Sequence, residues 1–411
     1  LHFLLLNVGH FLDHLFTLIF ATVAALALQR EWQVGYDELL AVATPGFFAF
    51  GLFSLPAGWL ADRWSRDGMM CVFFFGIGTA AILTGFASSP LEIGAGLFAI
   101  GMFAAIYHPV GLALVTMKWR NTGMRIAVNG VWGNLGVAAA ALIAGNLIEI
   151  SGWRSAFFLP GAFSILVGCA YLALRRSDIR ADGAPKKAAA QTAPMPADYR
   201  RILARVSGVV FLTTAFTAII FQSTTFALPK IFDERLGGLA GDIAGWLDDS
   251  AGGPGVQAGE IGALAFLVFA AASMAQLVVG KLLDRYGPRP VFLCVAAVQV
   301  VFFAAMPGLT DLAALAVALG FMFGAFGQIP INDFLIGKLA NGPARARIYG
   351  VRYVVSFTSL AASLPLIALI YGQWGFDRLF LVLAAAAALT LSIALLLPRR
   401  LPEPPAAAPA E

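Results

Sequence analysis

The sequence predicts an all-α membrane protein with twelve transmembrane helices, arranged as two pseudo-symmetric bundles of six. Of its 411 residues, 60% are hydrophobic and 12% are charged, and the mean hydropathy is +0.82. Because a soluble domain carries about 25% charged residues, this composition indicates a polytopic membrane protein. Apolar runs of about 20 residues, each long enough to cross a hydrocarbon core, recur along the chain between short polar joints.

The apolar runs form two sets of six on either side of a segment rich in alanine, proline and charge. We place the spans at 3–28, 37–61, 69–88, 92–116, 125–149, 154–175, 204–229, 259–283, 290–306, 311–336, 346–371 and 377–397. The intervening composition is typical of a flexible linker. The predicted domains are an N-terminal bundle at 1–175, a cytoplasmic linker at 176–203, a C-terminal bundle at 204–397 and a disordered tail at 398–411.

The positive charges predict the orientation of the chain. One set of joints contains only five of the 27 Lys and Arg residues, namely Arg30, Arg154, Lys230, Arg235 and Arg378. Cytoplasmic loops of membrane proteins are enriched in Lys and Arg, so the other, basic set is expected to be cytoplasmic. The predicted localisation is therefore the cell inner membrane, multi-pass, with both termini inside. The net charge of +4 follows from this basic face, and we find no nucleic-acid-binding signal in it.

Several classes of function lack their sequence signals. The three cysteines, Cys71, Cys169 and Cys294, lie inside apolar runs, so neither a disulfide framework nor a thiolate metal site is indicated. The sequence contains no Walker A loop, nucleophile elbow, zinc-protease helix or haem motif. We therefore expect neither an enzyme nor a bound cofactor.

A loop signature occurs twice, about half the chain apart. The first copy, after the second span, contains Gly58, Asp62, Arg63 and Arg66, and the second, after the eighth span, contains Gly280, Asp284, Arg285, Gly287 and Arg289. Internal repetition at half the chain length is typical of a transporter built from two helical bundles.

On these residues the chain resembles the major facilitator superfamily, whose loop signature is Gly-x-x-x-Asp-Arg-x-Gly-Arg-Arg/Lys. Ser65 stands where the second glycine is usual. The resemblance covers essentially the whole chain and implies the fold of that family. It also implies a latch that holds the cytoplasmic side closed in the outward-open state. The latch residues would be Asp62, Arg63, Arg66, Asp284, Arg285 and Arg289.

Three short strings are similar to the fosmidomycin-resistance-type branch of drug exporters. They are His10-x-x-Asp13-His14 in the first span, Tyr107-His108-Pro109 in the fourth and Gly133-Asn134-Leu135-Gly136 in the fifth. The branch more often has Asn-Asp where this chain has Asp13-His14. The Gly-Pro-x-x-Gly-Gly antiporter signature is absent from the fifth span. This resemblance implies export driven by proton entry.

Polar residues form a stripe along the first span. At 100° per residue, Asn7, His10, Asp13 and His14 fall within an arc of roughly 120° on a helix. Ionisable residues at bilayer depth are rare and indicate a functional site. The family fold places the first, fourth, seventh and tenth helices around a central cavity, which implies that His108 lies near this stripe.

Three interpretations of His10, Asp13, His14 and His108 remain open. The cluster could couple proton movement to transport, because histidine titrates near neutrality and a neighbouring carboxylate shifts its pKa. It could bind a divalent metal, because imidazole and carboxylate at i, i+3 and i+4 can converge on one ion. It could also be a static polar network that fixes helix contacts.

Further residues are candidates for substrate binding and gating. The substrate-binding candidates are polar or aromatic residues of the spans: Asn7, Tyr107, Trp132, Gln222, Gln328 and Asn332. Asp333 and Arg352 lie near the cytoplasmic ends of the tenth and eleventh spans. They are expected to form an ion pair, as a gate or as plain structure, because an unpaired charge at that depth is costly.

The sequence thus predicts a secondary transporter that moves a small organic molecule across the inner membrane by alternating access, with proton-coupled export. One alternative is a carrier of a divalent cation or metal chelate, which would use the His/Asp cluster. A second is a non-transporting receptor or scaffold on the same fold. The expected partners are a small-molecule substrate, protons and membrane lipid, without nucleic acid, and the chain is expected to act as a monomer.

Overall fold

The structure is a computed structural model that describes residues 1–117, 122–181, 197–247, 258–339, 342–399 and 401. Within these ranges the regular secondary structure is helical throughout. The residues outside these ranges include 182–196 of the predicted linker, 248–257 of the joint between the seventh and eighth predicted spans, and 400 and 402–411 of the predicted tail.

The membrane-spanning helices are numbered α1 to α12 in chain order. They are α1 His2–Glu31, α2 Tyr36–Arg63, α3 Arg66–Gly85, α4 Pro90–Met117, α5 Thr122–Ser151, α6 Ser155–Ala181, α7 Ala197–Arg235, α8 Ala258–Tyr286, α9 Pro288–Ala305, α10 Asp311–Lys338, α11 342–374 and α12 376–394. A short helix, Gly237–Leu247, follows α7.

The last two helices run together without a loop. By length and composition, eleven helices of the described chain can cross a membrane, and the last of them, Val351–Ala394, has 44 residues. At 1.5 Å per residue it would be about twice as long as the hydrocarbon core is thick. Gly375 divides it, because its φ of 72° and ψ of −174° are not helical. The predicted all-α fold is therefore confirmed, with two spans in this segment.

Local sequence explains where several helices begin and end. The Ser65 hydroxyl accepts a hydrogen bond from the Gly68 amide at 3.0 Å and caps the start of α3. Ser89 likewise caps α4, followed by a proline at the first helical position, where the missing N–H costs nothing. At the end of α8, Gly287 has a φ of 80°, which glycine adopts readily.

Both ends of the predicted linker are helical. The sixth helix continues to Ala181 and the seventh begins at Ala197, so residues 176–181 and 197–203 extend the spans. Alanine and arginine are among the strongest helix formers, and these polar turns need no partner helix to bury them.

The helices define two faces of the molecule. The terminus-side face contains the joints after α2 (63–66), α8 (286–288) and α10 (339), and the far face contains the joints at 31–36, 151–155, 235–237 and 375. At the far face the two bundles touch. Arg30 donates to Asp233 at 2.8 Å, and the Tyr36 and Tyr371 rings meet edge to face with centroids 5.4 Å apart.

Small residues bring α5 and α8 into backbone contact near the far face. A Cβ at Gly145 would lie 2.3 Å from the Ala258 carbonyl oxygen, and a Cβ at Gly262 would lie 2.4 Å from that of Ala141. Packing of this kind is typical of helix contacts in membranes, where small residues allow backbones to approach closely. The far face is therefore closed between the bundles.

Candidate functional site

The polar stripe of α1 lies in the interior of the protein. Asn7 and His10 are buried, Asp13 is 0% exposed, and His14 is partly exposed. The helical spacing that the sequence predicts is realised, because α1 is regular α-helix from His2 to Val23.

A widened turn in α4 places an aromatic ring and an imidazole beside this stripe. Residues Tyr107–Gly111 form a π-helical turn, a feature that is rare and often found at functional sites. Pro109 lies inside it and has no N–H to donate to the preceding turn. Tyr107 is fully buried, and the neighbouring His108 has a side chain that is 20% exposed.

His10 is held on both faces of its ring. One face stacks on Tyr107, with centroids 4.8 Å apart and planes inclined by 18°. The other face lies against α5, where a Cβ at Gly133 would come within 2.7 Å of the ring atoms Cε1 and Nε2. The ring nitrogen Nδ1 lies 2.8 Å from the main-chain oxygen of Asn129. Since that oxygen can only accept, Nδ1 carries the proton and donates it.

Asn129 joins three helices behind His10. Its side-chain amide donates to Asn7 Oδ1 and to the Tyr107 hydroxyl, each at 2.9 Å, and that hydroxyl donates to the Leu6 carbonyl at 2.7 Å. The predicted substrate-binding residues Asn7 and Tyr107 therefore face this network and do not line the central cavity. Asn129 itself was missed as a site residue, although an asparagine four residues before Gly133 in an apolar span was an available signal.

Three imidazoles and one carboxylate meet in front of the network. The ring centroids of His10, His14 and His108 lie 5.0, 5.4 and 5.5 Å apart. One ring nitrogen from each residue lies within 4.8 Å of the others. Asp13 Oδ2 lies 3.3 Å from His108 Nε2. The sequence prediction that these four residues come together is therefore realised in the geometry, and their role stays a prediction.

Amides and hydroxyls form the facing wall in the C-terminal bundle. Gln328 donates to the Thr217 carbonyl at 3.1 Å and accepts from Gln299 at 2.8 Å. Asn332 donates to the Thr214 hydroxyl at 3.2 Å. Within the described chain, the buried Gln222 side-chain nitrogen has no hydrogen-bond partner. Gln299 is a further buried residue of this polar wall. It was not identified from the sequence, because it lies on α9, outside the four helices expected to line the cavity.

A cavity of about 370 Å³ lies between the two bundles. It extends from mid-depth in the membrane-spanning region toward the terminus-side face. Of the predicted site residues, nine line it: His10, Asp13, His14, His108, Gln222, Gln328, Asn332, Asp333 and Arg352. Its apolar wall includes Phe47, Phe50, Phe221 and Phe357.

Trp132 is placed away from the cavity by the phase of its helix. The α5 residues that line the cavity are Ile126, Gly130, Asn134 and Val137, which share one helical face. Trp132 lies two residues after Gly130, about 200° around the helix. Its predicted substrate contact is therefore not seen in this arrangement.

On the cavity wall, Arg352 Nη1 donates to Asp333 Oδ1. This ion pair joins α10 to α11 within the C-terminal bundle, as expected from the cost of an unpaired charge. Its role as a gate stays a prediction.

The predicted latch loops make contacts within their own bundles. Asp62 pairs with Arg66, and the Arg63 guanidinium lies 4.2 Å above the Trp59 ring. In the second copy, Arg289 donates to the Leu395 carbonyl at 3.1 Å. The remaining members are Asp284, which is exposed, and Arg285, which lies over the Tyr286 ring at 5.2 Å. A latch between the bundles would form only when the terminus-side face closes, so this arrangement does not test it.

Comparison with known sequences gives one family over the whole chain. Residues 6–248 and 211–411 each match the profile described as Major Facilitator Superfamily. A puromycin resistance protein of Streptomyces alboniger is 33% identical over 164 residues, which are 39% of this chain and 33% of that protein. The tetracenomycin C resistance and export protein of Streptomyces glaucescens is 25% identical over 40% of this chain and 31% of its own. The matched region thus spans about a third of these two relatives.

Two further similarities extend over most of the chain. A gallate transporter of Pseudomonas putida is 24% identical over 361 residues, 82% of this chain and 78% of that protein. Among solved structures, a peptide transporter in complex with sulfate superposes with a TM-score of 0.74 and 13% identity, over 96% of this chain and 93% of that one. At that identity the superposition shows the fold alone.

Proposed function

Since the chain belongs to the Major Facilitator Superfamily, we propose that it is a secondary transporter that exports a small organic molecule by alternating access. The observation that carries this proposal is the cavity between the bundles, which is closed toward the far face and extends toward the terminus-side face. The charge distribution predicts that the termini lie in the cytoplasm. The structure, with its cavity extending toward the terminus-side face, then corresponds to the inward-facing state. An exporter takes up its substrate in that state.

The chemistry of the cavity supports a substrate with both an aromatic part and hydrogen-bonding groups. Phenylalanine rings lie beside the amides of Gln222, Gln328 and Asn332. A mostly apolar pocket with a few placed polar groups is typical of small-molecule sites. Puromycin and gallate, which appear in the names of two relatives, combine these features and are suitable first probes.

Proton entry is the proposed driving force, with Asp13 as the coupling carboxylate. It is fully buried, and its partner within the described chain is His108, at 3.3 Å. A carboxylate inside a membrane span is costly, so its presence there indicates a functional role. Export as the direction is supported by the printed names of the two antibiotic-resistance relatives and by the resemblance to the fosmidomycin-resistance-type branch, which stays a prediction.

The test uses the purified chain in proteoliposomes that contain a pH-sensitive dye. With an imposed pH gradient, addition of puromycin or gallate is expected to cause proton flux in the wild type and none in Asp13→Asn. Asp198→Asn is the matched control, because that carboxylate is 96% exposed at the start of α7. If the wild type transports the substrate without any proton movement, the proposed coupling is refuted. If neither puromycin nor gallate binds or is transported, the proposed substrate class is refuted.

A further inference from the structure

Three of the four histidines in the chain surround one point on the cavity wall. Their ring centroids form a nearly equilateral triangle with sides of 5.0, 5.4 and 5.5 Å. One ring nitrogen of each residue lies within 4.8 Å of the other two. All three residues line the cavity, and His14 and His108 are partly exposed to it. A ligand in the cavity can therefore reach this point.

Two of these imidazoles have an acceptor oxygen close to one of their ring nitrogens. His10 Nδ1 donates to the Asn129 carbonyl at 2.8 Å, and His108 Nε2 lies 3.3 Å from the Asp13 carboxylate. In metal sites a ligating histidine almost always uses its second nitrogen in this way, which fixes the ring and leaves the other nitrogen with a lone pair.

Within the described ranges, the second ring nitrogen of His10 and the His14 ring are available to a ligand. His10 Nε2 is buried and, in the described part of the chain, has no hydrogen-bond partner. It keeps this direction because the ring is held between Tyr107 and Gly133. A buried polar atom without a partner destabilises the folded protein, and a bound ion would remove that cost. No hydrogen bond of the His14 ring is found among the described residues, so that ring can turn toward the same point.

We propose that His10, His14 and His108 bind one divalent late first-row transition-metal ion such as Zn²⁺. Imidazole nitrogens suit Zn²⁺, Cu²⁺ and Ni²⁺, whereas Mg²⁺ and Ca²⁺ prefer oxygen ligands. With Zn–N distances of about 2.0–2.1 Å, the nitrogens of a tetrahedral site lie ~3.3 Å apart. The observed separations of up to 4.8 Å exceed that distance by about 1.5 Å. Because His10 is held in place, the closer approach would come from rotation of the His14 and His108 side chains.

Three protein ligands leave one coordination position open, and here it faces the cavity. That position accepts an oxygen or nitrogen atom of a chelating molecule. The inference therefore deepens the proposed function, on which it rests only for the cavity being the substrate path. The substrate class becomes an organic molecule with a metal-chelating group, moved together with the ion.

The test measures metal binding by the full chain, without a histidine tag, in detergent after treatment with chelator. Calorimetric titration with Zn²⁺ is expected to give one ion per chain, with at least tenfold weaker binding in His14→Gln and in His108→Gln. His2→Gln is the matched control, since it removes the one histidine outside the triangle. Titration with Co²⁺ is expected to give the visible absorption of a four-coordinate site, which His14→Gln abolishes. Equal melting temperatures without metal confirm that the variants are folded.

Three results would overturn the inference. They are no stoichiometric Zn²⁺ binding by the wild type, an equal loss in His2→Gln, or unchanged binding in both His14→Gln and His108→Gln. The proposed transport function fails separately. Proton-coupled flux without Zn²⁺ binding leaves that function standing, and Zn²⁺ binding without flux of any probe leaves the metal site standing.

Discussion

Gly133→Ala is expected to destabilise the protein through a single methyl group. The new Cβ would lie 2.7 Å from His10 Cε1 and Nε2, whereas ordinary carbon contacts begin at about 3.5 Å. The ring cannot retreat freely, because Tyr107 stacks on its other face and Nδ1 is bonded to Asn129. Overpacking of this kind costs about 1–3 kcal/mol, and loss of the hydrogen bond costs about 1 kcal/mol more.

A control variant on the same helix isolates the loss of stability caused by this contact. Gly130 also lines the cavity, and a Cβ there would meet nothing within 4 Å. Gly130→Ala is therefore expected to stabilise by about 0.5–1 kcal/mol, because alanine loses less backbone entropy than glycine on folding into a helix. Because both variants share this entropy gain, their free energies of unfolding, measured reversibly in mixed micelles, should differ by the overpacking and hydrogen-bond costs alone, about 2–4 kcal/mol. Equal values, or a more stable Gly133→Ala, would refute the arrangement around His10.

Two further predictions concern ion pairs. Asp67→Ala removes a buried carboxylate that accepts two hydrogen bonds from Arg175, at 3.1 and 3.2 Å, and should cost about 3 kcal/mol of unfolding free energy. Asp198→Ala removes one partner of an exposed ion pair and should leave the free energy of unfolding nearly unchanged. Similar losses of stability in Asp67→Ala and Asp198→Ala would contradict this prediction. Arg30→Asp should open the far face, as measured by labelling of a cysteine in the cavity with an impermeant reagent added only on the far side of sealed vesicles. Adding Asp233→Arg should restore closure. The exposed position of Arg30 limits the change to about fivefold, and a double variant as open as the single one would refute the role of this pair.

The sequence was sufficient for the features that depend on one helix at a time. The arc formed by His10, Asp13 and His14 follows from helical spacing, and the twelve spans follow from hydropathy. The helical phase of α5 also places Trp132 about 200° around the helix from the cavity-lining Asn134. Aromatic character alone was therefore not enough to predict a cavity residue.

The features that remained hidden depend on how helices pack against each other. The contact of Gly133 with His10 and the links made by Asn129 arise from the register between α1, α4 and α5, which no spacing within one span specifies. The π-helical turn at Tyr107–Gly111 likewise reflects local hydrogen bonding around a proline, and a proline by itself does not distinguish such a turn from a simple kink.

The backbone contact between α5 and α8 has a consequence for how the far face opens. At Gly145 and Gly262 there is no side chain to slide, bend or change rotamer while contact is kept, because carbonyl oxygens meet the space where a Cβ would be. If the α5 and α8 backbones move apart even slightly, the dispersion attraction between them falls steeply. Partly opened arrangements are therefore not stabilised by this contact. Packed interfaces of this kind are bistable and do not deform continuously. We therefore expect opening to occur as a single cooperative step with one barrier, whose height is set by the glycine and alanine positions of this contact.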